Sequence, residues 1–162
     1  MHFIRHSIAA ACIVIAGSAI AQGTQIALGG LNANPSDPVE VNADSLTVNQ
    51  DNGTAIFTGN VVIGQGSMRL AAARVQVRYS DTNGDITQLL ATGGVTLVTE
   101  TEAAEAVEAN YNLETGMLVL TGNVLLTQGP SAISADRMNV NLETGTAQME
   151  GRVRTVFAQG DN

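Results

Sequence analysis

Apolar and polar residues alternate with period two along most of this chain. Between positions 55 and 63, Ala55, Phe57, Gly59, Val61 and Ile63 share one side, the pattern of a β-strand with one buried face. The stripe recurs as Leu89, Ala91, Gly93, Val95, Leu97 and again as Leu118, Leu120, Gly122, Val124, Leu126. A weaker copy is Ala147, Met149, Gly151, Val153, Thr155. Every copy has a glycine at its centre, and the copies follow one another about every 30 residues, which marks a repeat architecture.

Turn signals divide the chain into further strands. Residues 41–48 read as a first strand, closed by a turn at 49–53 whose Asn52-Gly53 tolerates positive φ. Residues 68–79 read as one long strand with a change of phase. Met68, Leu70 and Ala72 hold one register and Val75, Val77 and Tyr79 the other, so a bulge or bend within 71–73 would carry it from one sheet to another. After a turn at 81–85, the second stripe occupies 86–99. The alanine- and glutamate-rich run 100–108 favours helix by composition, but it has little to bury. It is expected to be a loop or single helical turn leading into a strand at 107–113. Turns at 114–116, 128–130 and 143–145 bound the third stripe, a strand at 133–142 and a last strand at 146–157.

Two features support the strand reading. Pro35, Pro38 and Pro130 all avoid the expected strands, where a missing N–H would break a ladder. Residues 43–61 also align without gaps to 135–153, with nine of nineteen positions identical. The repeated unit is strand, tight turn, glycine-centred strand, so the fold expected is all-β, antiparallel and built from repeated hairpins.

Composition narrows the chemistry. A basic start, an apolar run and the small residues Ala19 and Ala21 make residues 1–21 a secretory signal peptide, too short in its apolar run for a span of about 20 residues. Residues 22–38, rich in Gly, Asn and Pro, read as a flexible leader, 39–157 as the folded domain and 158–162 as a polar tail. His2, His6 and Cys12, the only residues of their types, fall within the signal, and the chain has no lysine or tryptophan. The remainder therefore offers no imidazole base, thiolate, Schiff-base lysine or cofactor site. A carboxylate-based hydrolase is the enzyme class left, and nothing in the spacing of the acids supports it. A net charge of −8 argues against nucleic acid as a partner. The acidic turn 81–85 resembles the start of a calcium loop, but Thr92 stands where the bidentate glutamate belongs.

An apolar stripe of this kind fits either the closed core of a β-sandwich or a trough for a long apolar guest. The central glycines, which weaken a strand, would serve close backbone approach or room for that guest.

The run from Ala43-Asp44 through Asn52-Gly53-Thr54-Ala55 to Phe57-Thr58-Gly59-Asn60-Val61 resembles the OstA-like, LptA-type periplasmic lipopolysaccharide-transport family. Thr121-Gly122-Asn123-Val124 and Ala135-Asp136 echo it. The resemblance implies an open antiparallel β-jelly-roll, V-shaped in section, whose interior shields lipid acyl chains. It implies lipopolysaccharide as ligand, an inner-membrane-anchored LptC-type partner, an outer-membrane LptD-type translocon and head-to-tail homo-oligomers. The lining expected on the stripes is Phe57, Val61, Ile63, Leu89, Val95, Leu97, Leu118, Leu120, Val124, Leu126, Met149 and Val153. The expected docking edges are the strands at 41–48 and 146–157. Arg74 with Arg78, or Arg152 with Arg154, could meet phosphate at the groove mouth, solvated strand charges being the alternative. The rival to this reading is a secreted structural or adhesive β-repeat protein with a closed core and no lipid.

Overall fold

The computed structural model describes residues 24–27, 34 and 36–157; the expected signal peptide and polar tail lie outside them. Among the described residues, eleven strands form one antiparallel sheet. They are β1 (Thr24–Ala27), β2 (Glu40–Asn42), β3 (Ser45–Asn49), β4 (Thr54–Gln65), β5 (Met68–Tyr79), β6 (Ile86–Val98), β7 (Glu102–Asn112), β8 (Met117–Gln128), β9 (Ser131–Asn141), β10 (Thr146–Glu150) and β11 (Arg154–Val156). Neighbours run β1-β10-β9-β8-β7-β6-β5-β4-β2, with β3 also on β4 and β11 also on β9.

The sheet is folded along a line of bulges. On β4 the residues Gly59 and Asn60 together oppose the single residue Ala73 of β5, between the pairs Thr58↔Arg74 and Val61↔Ala72. Gly93-Gly94 on β6 and Gly122-Asn123 on β8 interrupt their ladders in the same way. Gly151-Arg152 separates β10 from β11. Both residues of each pair have positive φ, from 46° at Asn60 to 88° at Gly94. That backbone suits glycine first and asparagine second, so Thr-Gly-Asn-Val encodes a bend.

Beyond the bulge line each long strand enters a second layer. The first layer holds β3, residues 54–58, 74–79, 86–92, 108–112, 117–121 and 137–141, then β10 and β1. The second holds β2, residues 61–65, 68–72, 95–98, 102–106, 124–128 and 131–135, then β11. The apolar faces of the two layers meet in one core cluster, giving an open antiparallel jelly-roll. Residues after the bulge keep their phase on β4, β6 and β8, because the one extra residue of each bulge offsets the change of face that the bend imposes on the partner strand. The phase flips on β5, from Ala72 to Val75, and likewise from Ala106 to Ala109 on β7 and from Ala135 to Met138 on β9.

Several expectations change. Run 100–108 is neither loop nor helical turn: β7 begins at Glu102 and is paired on both sides, with β6 and β8. Ladder pairing overrides its helix propensity, and its alanines, with Ala104 and Ala109 buried, suit a place where little room is left between layers. Strand 68–79 does bend where its phase changes, but between two layers of one sheet. The strands expected at 41–48 and 146–157 are each split in two, because each must serve both layers. Finally, β1 lies inside the expected leader and pairs with β10, so β10 is not an edge. Among the described residues the edges are β3 and β1 in the first layer, and β2 and β11 in the second.

Candidate functional site

The interior between the layers is the candidate site. Leu89, Leu118, Leu120 and Met149 reach it from the first layer and Val61, Ile63, Val95, Leu97, Val124 and Leu126 from the second, all buried. Phe57 is half-buried against them. Val153, placed after the Gly151-Arg152 break, is 39% exposed and stands outside the packed cluster. The stripe loses its cover there because β10 has ended and β11 is an edge. The interior is packed: the void lined by Ile63, Gln65, Met68, Leu70, Leu89 and Tyr111, among others, is about 20 Å³, the space of about one water.

The glycines do not make that space. A Cβ on Gly59 would fall 2.5 Å from Asp44 Oδ2, on Gly93 2.8 Å from Ala73 Cβ, on Gly122 2.7 Å from Val107 Cβ, and on Gly151 2.5 Å from Asp136 Oδ2. Ala73 and Val107 lie on the strand before the glycine's own, Asp44 just before β3 and Asp136 on β9, and Asp44, Ala73 and Val107 are exposed. The expected room for a guest at these positions is therefore replaced by close backbone approach and positive φ.

The two aspartates of the repeated Ala-Asp hold the bends. Asp44 N–H donates to Gly59 O and Asp136 N–H to Gly151 O, both at 2.9 Å. Their carboxylates take the side chain of the residue after the glycine, Asn60 Nδ2 at 2.9 Å and Arg152 Nε at 2.9 Å. Arg152 is thus engaged by Asp136, and Arg74 and Arg78 face solvent on the outside of the first layer, away from the interior. The Arg152 hydrogen bond holds the Asp136 carboxyl below its ordinary range. A depressed folded-state value stabilises the fold above the ordinary carboxylate range, and that contribution is lost as pH falls through the depressed value. Carboxyl NMR titration should show Asp136 titrating low in the wild type and returning upward in Arg152→Gln; an unmoved midpoint in that variant removes the pair as the cause.

Sequence reasoning missed three groups. Val75, Val77, Met138 and Val140 on the phase-flipping strands are as buried as the stripes; the change of register was their signal. Leu46 and Val48 on β3 pair with Phe57 and Ala55, so they share the inner face, yet they are 53% and 59% exposed. Gln65 is 2% exposed inside the apolar lining. Its Oε1 accepts from Tyr111 Oη at 3.3 Å and its Nε2 donates to Asp37 O at 3.2 Å and Asn34 O at 3.4 Å. Burial pushes the Tyr111 phenol above its ordinary pKa, against the pull of Gln65.

A folded sheet with this lining has known counterparts. A sequence profile of the family described as LptA/(LptD N-terminal domain) LPS transport protein matches residues 40–146, from β2 into β10. The chain belongs to this LPS transport family. Lipopolysaccharide export system protein LptH of Pseudomonas aeruginosa is 35% identical over 80 residues, 49% of this chain and 45% of that protein. An uncharacterised protein of Rhizobium meliloti is 35% identical over 74 residues, 46% of this chain and 40% of that protein. The chain spans less than half the length of the curated relatives it matches. The structure is also similar to the crystal structure of LptH, the LptA-homologous periplasmic component of the lipopolysaccharide transport device of P. aeruginosa. The TM-score is 0.70 at 18% identity, over 78% of this chain and 99% of that one, a likeness of fold.

Proposed function

We propose that this family member is a periplasmic lipopolysaccharide-binding bridge, which shields acyl chains between the inner and outer membranes and assembles end to end through its sheet edges. The observation that carries the reading is the continuous apolar lining from β4 to β10, with inner-face side chains left uncovered at both ends. Leu46 and Val48 are bare at the β3 edge, and Val153 and Phe157, the latter 76% exposed, at the β11 edge. Exposing an acyl chain of about 12 carbons to water costs on the order of 10 kcal/mol at ~0.8 kcal/mol per CH₂, so a lipid in transit needs unbroken cover. Unpaired edge strands accept a strand of another molecule. Contacts of that kind that do not close into a ring extend into a filament, leading from an LptC-type partner at one membrane to an LptD-type translocon at the other. No bond is made or broken in this role. Sugars and phosphates stay in solvent, which reconciles an acidic protein with a phosphorylated ligand.

Tight packing of the interior favours a second reading, a structural or adhesive β-repeat with a permanently closed core. A photo-crosslinking residue at Phe57 separates the two. The bridge reading expects capture of lipopolysaccharide in host cells from Phe57 and none from Thr96, which faces outward on the second layer. Equal capture from both positions, or none from Phe57, leaves the closed core standing.

A further inference from the structure

The segment before β2 closes the interior in a specific way. Val39 packs into the core cluster and lines the small void beside Ile63, Met68, Leu89 and Leu118, so it touches side chains of both layers. Two residues earlier, the Asp37 carbonyl takes the Nε2 proton of buried Gln65, with the Asn34 carbonyl beside it. Across the mouth, Asp37 and Val39 face Ser80, the turn at 83–85, the start of β6 and Leu113 over a cleft of about 570 Å³. The segment thus presents an amide carbonyl to Gln65 and a branched hydrocarbon to the apolar void. Those are the two chemical features of an acyl group joined to its carrier through an amide or ester. The segment also precedes residue 40, the first matched to the family.

We propose that Asp37–Val39 is a built-in stopper seated in the acyl-binding site, and that Gln65, oriented by Tyr111, is the polar contact that receives the ligand's amide or ester carbonyl once the stopper leaves. The inference rests on the acyl-binding reading above. A buried amide is costly to leave poorly paired, so a guest that offers Gln65 Nε2 only an ether oxygen, a weaker acceptor, satisfies it less well than a guest that supplies an amide or ester carbonyl. Carbonyl-linked chains are therefore selected over simple alkyl chains of equal length. The stopper keeps the lining covered while no lipid is bound.

The test uses the full chain with Cys12→Ser and Val39→Cys, so that the thiol at position 39 is its sole thiol. The probes are N-dodecanoylglucosamine, which has an amide carbonyl, and dodecyl glucoside, which has none, with binding measured by calorimetry in parallel. N-dodecanoylglucosamine should speed thiol labelling by about tenfold or more, as expected for a shifted opening equilibrium, and dodecyl glucoside should do much less. Adding Gln65→Leu should make labelling fast without any ligand and abolish the difference between the two probes. Binding of N-dodecanoylglucosamine with labelling unchanged overturns the stopper and leaves the bridge reading intact. Equal effects of the two probes on the wild-type Gln65 background overturn carbonyl recognition. Failure of both probes to bind, in either background, overturns the acyl-binding reading and this inference with it.

Discussion

Gly93→Ala lowers the stability of this protein by about 2–6 kcal/mol, and Gly94→Ala, its neighbour in the same bulge, by about 1–3 kcal/mol. Both glycines have strongly positive φ, 85° and 88°, so both variants carry the strain of a side chain in that region. They differ in what the new Cβ meets. At Gly93 it falls 2.8 Å from Ala73 Cβ, whereas at Gly94 nothing lies within 4 Å. The larger loss is a substantial part of the roughly 5–15 kcal/mol that holds a domain together. Urea denaturation at unchanged m measures both values. Ala73→Gly in the Gly93→Ala background removes the opposing Cβ and should restore part of the loss. Equal losses at the two glycines, or no rescue, would mean that the bend is not held by close strand approach.

Leu120→Ala should cost about 2–5 kcal/mol, the loss of transfer energy plus a cavity, while Leu46→Ala stays within about 0.5 kcal/mol. Both leucines are on inner faces, but Leu120 is fully buried between the layers and Leu46 is half exposed on an edge. Thermal and urea midpoints of the two variants give the comparison directly. A loss at Leu46 equal to that at Leu120 would place the β3 edge inside the core and remove it as an open end of the roll.

Much of the fold was legible because period two is a property of the strand itself. The stripes through Val61, Val95 and Val124 alternate in sequence as they do in space, and the phase change between Ala72 and Val75 announced the bend of β5. The run 100–108 was misread because alanine and glutamate carry a local preference for helix, while the ladders that impose a strand come from β6 and β8. Val153 keeps the parity of the stripe, but it is 39% exposed because its cover depends on where β10 stops. Gln65 gave no signal, since a glutamine at a strand end looks like surface until a distant carbonyl and Tyr111 are brought to it.

By itself the sequence determined most of the strands, their hairpin order and the glycine-centred repeat, all of which follow from local chemistry and period. Only the tertiary structure decided that the glycines bend one sheet into two facing layers rather than making room inside it. The difference arises because a glycine's apparent side of a strand is read from parity, whereas two consecutive residues of positive φ turn the backbone out of that parity and against the neighbouring strand. It also decided that Asp37–Val39 fills the mouth of the interior, a contact between segments that are far apart in the chain.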